Sequence, residues 1–170
     1  PESAKVAIDW FDSKLNETLV SINDNFSKYR LSDALMSSYK LIWNDFCSWY
    51  LEAVKPAYQQ PIDKATLDAT INYFEQLLRI LHPFMPFVTE EIWHWLRERN
   101  EGEDIIISSW PSAGSIDQNI LDQFKVASSV VSNIRNLRKQ NNIANKVAIE
   151  LSVKLNAEHS KSFDAVVEKL

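Results

Sequence analysis

The stretch from Asp33 to Val54, DALMSSYKLIWNDFCSWYLEAV, decides the fold class. Leu35, Tyr39, Ile42, Phe46, Trp49 and Ala53 recur at spacings of three and four, so a regular helix gathers them on one apolar stripe. Met36, Trp43 and Tyr50 widen that stripe on one side. A helix face this wide needs more than one neighbour, which points to a bundle. Lys55-Pro56 ends the helix, because proline disfavours helical backbone in the residue before it, and Gln59-Gln60-Pro61 continues as loop.

The same period runs outward in both directions. Upstream, Ile8, Phe11, Leu15, Leu19, Ile22 and Phe26 predict a helix over residues 3–28 with Ser3 as its N-cap. The chain turns between Tyr29 and Leu31, and Ser32 or Asp33 offers the next cap. Downstream, Leu67, Ile71, Phe74, Leu78 and Leu81 predict a third helix from Asp63 to Leu81. His82-Pro83-Phe84-Met85-Pro86-Phe87 predicts a buried, sharply bent connection. Thr89 reads as the N-cap of a fourth helix reaching Asn100, with Glu90 and Glu91 in a first turn where the helix dipole favours negative charge. Ile105 to Ile107, followed by Ser108-Ser109-Trp110-Pro111, reads as an extended strap over the bundle. Ile120, Phe124, Ala127, Val131, Ile134 and Leu137 predict a fifth helix from Asp117 to Gln140.

The period then changes. Val147, Ile149, Leu151, Val153 and Leu155 alternate with smaller or polar residues, the pattern of a half-buried strand. A lone strand cannot satisfy its own ladder, so its partner is expected beyond residue 170. Residues 163–170 read as part of another helix. The expected fold is therefore an all-α helical bundle over residues 1–112, followed by a truncated α/β subdomain over 113–170. The small, flexible run from Ser112 to Ser115 marks the boundary.

Composition agrees with helix and excludes several functions. Gly102 and Gly114 are the only glycines in 170 residues, where average usage would supply roughly 12. So few cannot build a glycine-rich nucleotide loop or many tight hairpins. The single Cys47 rules out an internal disulfide and suits a reducing, cytoplasmic setting. No apolar run is long enough to span a membrane, and the N-terminus does not read as a signal peptide. The net charge of −5 argues, taken alone, against a dedicated nucleic-acid binder.

A search for chemistry finds no catalytic set. His82, His94 and His159 are scattered, without cysteine or carboxylate at metal-ligand spacing, and His82 reads as a satisfied structural histidine. Ser108-Ser109 has no base arranged beside it, and Cys47 reads as an inert, buried thiol on an aromatic helix. Two constellations remain. In Trp43 to Pro56, aromatics alternate with Asn44, Asp45, Glu52 and Lys55, and such a mixture can stack and read unpaired bases. Phe46 and Trp49, on the main stripe, read as core, whereas Asp45, Glu52 and Lys55 fall off it. The second is Arg135, Arg138, Lys139 and Lys146, which either contacts phosphates or compensates a helix C-terminus.

These residues carry a resemblance. Residues 43–52, WNDFCSWYLE, resemble the W-x-D-F-C-x-W-Y-L-E stretch of valyl-tRNA synthetases. Residues 81–93, LHPFMPFVTEEIW, are similar to a block of the class I synthetases for valine, leucine and isoleucine; Trp110-Pro111 and Ile134-Arg135-Asn136-Leu137-Arg138 follow in the family's order. Ser48 stands where many relatives have aspartate. The resemblance implies a helical anticodon-binding domain attached to catalytic and editing domains in one chain, whose parent activates valine with ATP and transfers it to tRNA. The H-I-G-H and K-M-S-K-S signatures are absent, so the catalytic and ATP sites are expected outside this chain, which itself needs no cofactor and no metal. The family's preceding bundle helix is expected upstream of Pro1. The tRNA-facing set is expected to comprise Trp43, Asp45, Tyr50 and Lys55, with Arg135 and Arg138 on phosphates. The alternatives are the same domain of a leucyl or isoleucyl enzyme, or a helical interaction scaffold with no RNA role, which the acidic charge favours.

Overall fold

The computed structural model describes residues 2–144 together with Val147 and Glu150. The remainder of the alternating segment 147–155 and the helix expected at 163–170 lie outside the described residues. Within them the chain is helical and contains no strand: α1 (Glu2–Ser27), α2 (Leu31–Lys40), a π-helical stretch (Leu41–Tyr50), α3 (Leu51–Val54), α4 (Lys64–Leu81), α5 (Pro86–Leu96), a 3₁₀ turn (Ile105–Ile107) and α6 (Gln118–Gln140). This is the all-α bundle that the periodicity predicts.

α1 is the central element. Its Phe11, Leu15, Leu19 and Ile22 are fully buried, joined by Ala4, Ala7 and Trp10. Phe11 packs against Phe46, Tyr50 and Tyr73 with ring centroids 5.0–5.3 Å apart, so one aromatic cluster ties α1 to the π-helical stretch and to α4. α1 ends as the scarcity of glycine dictates. Tyr29 takes the left-handed conformation at φ 57°, and the Arg30 and Tyr29 amides donate back to the Asn25 and Phe26 carbonyls. Asn142 repeats the motif after α6, its φ 54° accompanied by Ile143 N–H donating to the Arg138 carbonyl. Two termini that glycine ordinarily serves are closed by a tyrosine and an asparagine. The second helix begins at Leu31, before the expected Ser32 or Asp33 cap, and has no side-chain cap.

The second helix departs from regular period. Ala34 and Ser38 face inward in α2, while Leu35 and Tyr39, expected on the buried stripe, are 41% and 53% exposed. From Leu41 the backbone bonds lengthen to five-residue loops, and Ser48 Oγ donates to the Trp43 carbonyl across the same interval (2.8 Å). Each residue then turns through less of the circle, which carries Leu41, Phe46, Tyr50, Ala53 and Val54 onto one inner face. The uniform stripe is thus correct after the wide turns and one residue out of register before them. The same rotation leaves Cys47 exposed rather than buried, although partial desolvation still raises its thiol pKa.

α4 begins on the predicted residue, with Asp63 accepting from the Thr66 amide and hydroxyl. α5 starts earlier than predicted because Pro86 occupies its first turn, where a missing N–H costs nothing. Thr89 is therefore not an N-cap. It lies inside the helix, buried, with its hydroxyl donated to the Met85 carbonyl (2.8 Å) and accepting from His82 Nδ1 (2.8 Å). A hydroxyl has one proton, so His82 carries hydrogen on Nδ1 and is the satisfied structural histidine expected. The strap has its predicted role in a different conformation. Ile105–Ile107 forms the 3₁₀ turn and Ile105 is buried against Leu78 and Trp93. Trp110 donates its indole N–H to Asn23 Oδ1 (2.9 Å) and meets Phe26 edge-on.

The Ser112–Ser115 run, expected to be flexible, is pinned. Asn16 accepts from the Gly114 amide (2.9 Å) and donates to the Ser115 carbonyl (3.1 Å), while Ser13 Oγ accepts from Asp117 N–H (3.1 Å). A Cβ at Gly114 would sit 3.3 Å from Asn16 Nδ2, so this glycine is used for close approach. Asp117 caps α6, whose Leu121, Phe124 and Ala127 enter the same core cluster as α1. Residues on the two sides of the expected boundary therefore share one core.

Candidate nucleic-acid interface

The site is built where α1, the π-helical stretch and α6 meet. Trp10 and Phe124 stack with centroids 3.7 Å apart, and Trp49 stands edge-on to Phe124. Above this aromatic floor lies a cavity of about 350 Å³, bordered by Lys14, Glu17, Asp45, Trp49, Gln118 and Lys125. That volume lies within the range of small-ligand sites. A second hollow of about 420 Å³ shares Lys14, Glu17 and Asp45 and continues towards Lys40 and Asn44. Asp45 thus stands on the ridge between the two.

Asp45 is the unusual group. Burial raises its pKa from 3.8 to about 6, the Lys14 charge opposes that rise and Glu17 adds to it. Lys14 gives its ammonium to Glu17 instead (2.9 Å), so the nearest cation is already paired. Among the described residues no side chain or amide hydrogen-bonds the Asp45 carboxylate. It remains a partly desolvated acceptor facing a cavity, which makes it a candidate functional group.

The other expected contact residues separate into two groups. Trp43 is 59% exposed and stacks on the exposed Tyr39 with ring planes 11° apart, forming an aromatic shelf beside Asn44 and Asp45. Lys55 projects into solvent, loosely paired with Glu52 at 3.5 Å. Arg135 lies with its guanidinium carbon 5.5 Å from the Trp49 ring centre, at the cavity's edge. Tyr50, by contrast, is fully buried. Its hydroxyl is shared with Thr70 Oγ1 (2.9 Å), burial raises its pKa, and its ring packs on Phe46 and Tyr73. It is a core residue and presents nothing to a partner. Arg138 is also spent internally, since its two terminal nitrogens donate to the Ala144 and Val147 carbonyls (both 3.0 Å).

Sequence reasoning missed the contributions of Lys14, Glu17 and Lys125, which approach Asp45 only through packing. Trp49, expected in the core, is half-buried, with one side against Phe124 and another towards Arg135. Away from this site, Glu90, His94 and Asp104 bring one ligand-type atom each within 4.8 Å of one another, although no such spacing stood out in the sequence. Packing explains them: Glu90 accepts from Ile105 N–H (2.9 Å), and His94 bridges Glu90 and Asp104 at 3.2 and 3.1 Å, clasping the strap to α5. No described helix is long and apolar enough to cross a membrane.

Comparison with known proteins agrees with this geometry. Residues 9–155 match the family model described as the anticodon-binding domain of tRNA ligase. The chain is 49% identical over its full length to valine–tRNA ligases of Parabacteroides distasonis and Christiangramia forsetii, covering 19% of each. It is 36% identical over 88% of its length to that of Bacillus thuringiensis subsp. konkukian, covering 17% of that protein. The chain thus spans about a fifth of the length of the curated relatives it matches. With the family pattern running through α1, the π-helical stretch and α6, the chain belongs to the anticodon-binding domains of tRNA ligases.

Proposed function

We propose that this chain is the part of a valine–tRNA ligase that recognises the anticodon region of its tRNA, and that the whole enzyme attaches valine to that tRNA with ATP. The observation that carries this reading is the family match across residues 9–155, which includes every element lining the Asp45 cavity. The shelf of Tyr39 and Trp43 offers stacking faces, Asp45 offers an acceptor, and Lys55 and Arg135 offer charge to phosphates. ATP binding and amino-acid activation belong to the catalytic part of the same protein, outside these residues, and the cytoplasm is the compartment that suits an exposed free thiol.

The charge of −5 sets an expectation about strength. Affinity for RNA rests largely on cations that release counterions, so this chain alone should bind weakly and gain from the rest of the enzyme. A titration tests the reading: the chain, and the full-length ligase, are mixed with an RNA hairpin carrying the anticodon loop of a valine tRNA. Affinity should fall when the anticodon is changed. Equal affinity of the full-length ligase for altered anticodons would overturn the proposal.

A further inference from the structure

Lys125, Ser128, Ser132, Arg135 and Lys139 follow one another along α6 at intervals of three and four, so they share one helix face. That face lies beside the buried stripe of Leu121, Phe124, Ala127 and Val131, at the edge of the bundle. From Lys125 to Lys139 it runs about 21 Å at the helical rise, enough for several phosphates of a single strand. Lys125 and Ser128 border the Asp45 cavity, and Arg135 sits over Trp49 on its rim. Among the described residues none of the three cations is held in an ion pair, whereas Lys5, Lys14, Lys28, Lys55 and Lys64 each have a carboxylate partner. On an acidic chain, an unneutralised cationic line that ends at a cavity with an unmet acceptor is an ordered arrangement.

We infer that this face of α6 is a phosphate track leading a single-stranded RNA loop past the Asp45–Trp49 cavity, where one unstacked base is held beside Trp49 and read by the Asp45 carboxylate. The inference rests on the anticodon-binding reading and adds the place and the chemical class of the base. A carboxylate accepts hydrogen bonds and cannot give them, so the cavity favours a base with an exocyclic amine, such as cytosine or adenine, over uracil. Uracil presents carbonyl oxygens on both sides of its single N–H, and these oppose the carboxylate. Phosphates of the strand before and after the site meet Lys125 and Arg135. The stacking face comes from Trp49, which the edge contact of Phe124 keeps upright.

The test uses the same valine anticodon-loop hairpin, with each loop nucleotide replaced in turn by uridine, against the wild type and Asp45→Asn. One position should lose about tenfold in affinity on wild type and show no such discrimination on Asp45→Asn, whose amide can both donate and accept. In parallel, Lys125→Gln, Arg135→Gln and Lys139→Gln should each lower the dependence of log affinity on log salt by about 0.7. Circular dichroism confirms that the surface variants keep their helix content. An unchanged salt slope in the triple variant overturns the track, and equal uridine discrimination by wild type and Asp45→Asn overturns the base site. If anticodon dependence is present while these two readouts stay flat, only this inference fails. If anticodon dependence is itself missing, the underlying reading fails with it.

Discussion

Glu75 and Asp45 are both drawn from solvent towards the protein interior, and they are treated in opposite ways. Glu75 on α4 is 13% exposed and receives Arg97 Nε at 2.9 Å and Arg99 Nη2 at 2.6 Å. Arg99 in turn lies flat on Trp93, 3.5 Å from the ring centre, and donates its Nε–H to the Trp93 carbonyl. Every group in that network has a partner, and its effect is to hold the chain after α5 against α4. Asp45 is desolvated enough to lift its pKa to about 6, yet its nearest lysine is bonded to Glu17. Nothing in the packing near Glu75 asks for a ligand. The surroundings of Asp45 leave an acceptor open towards a cavity. The contrast separates a polar group kept for the fold from one kept at the fold's expense.

Breaking the satisfied network should have the largest effect. Glu75→Gln leaves two guanidinium groups without their carboxylate, one of them nearly buried. A loss of about 2–3 kcal/mol is expected in urea unfolding, below the cost of a fully buried pair because Arg99 keeps its bond to the Trp93 carbonyl. RNA affinity should not change. A loss below about 1 kcal/mol would mean that the network adds little to the fold.

Asp45 should respond with the opposite sign. Its pKa is raised in the folded state, so the folded chain binds this proton more tightly than the unfolded one. The resulting stabilisation is present below the ordinary carboxylate pKa and is lost as the pH rises through about 6. Asp45→Asn should therefore stabilise the chain at pH 8 by about 1–2 kcal/mol, after allowance for solvent screening at a partly exposed site. It should also flatten the stability profile between roughly pH 4 and 6. Lys14, Glu17, Asp122 and Lys125 border the same cavity, so Lys14→Gln provides the control: removing the one favourable charge should push the Asp45 midpoint higher. A destabilised Asp45→Asn would place Asp45 with Glu75 and end the comparison.

The sequence held more of the fold than of the site. Helical period located α1, α4 and α6 to within a residue or two, because their apolar positions obey a uniform 3.6-residue turn. It misplaced Leu35 and Tyr39 because no local signal announces that the backbone widens at Leu41. Thr89 reads as a cap because threonine prefers that role, but Pro86 begins the helix first. Asp45 was legible as a polar residue off the apolar stripe. Its unmet carboxylate was not, for that depends on Lys14 choosing Glu17 over Asp45, a competition settled by helix geometry. Tyr50 shows the converse error: a tyrosine in an aromatic motif suggests stacking on a base, yet the wide turns aim it into the core.

The smallest expected effect distinguishes two arginines that sequence alone had to group. Arg138 donates to the carbonyls of Ala144 and Val147, so it ties down the turn that follows α6; among the described residues, Arg135 contacts the Trp49 ring. Arg138→Gln should cost about 1 kcal/mol, the worth of those bonds after competition with water, and should leave the salt dependence of RNA binding unchanged. Arg135→Gln should stay within about 0.5 kcal/mol of wild type in stability, since an exposed cation over a ring adds little. Its effect should appear in the salt slope alone. The two residues lie one turn apart on the same helix, with the same charge, so any non-specific loss of positive potential would act on both alike. A difference in the salt slope between them can come only from where each guanidinium points, which makes this pair the most sensitive measure of whether α6 presents a track or merely a basic helix end.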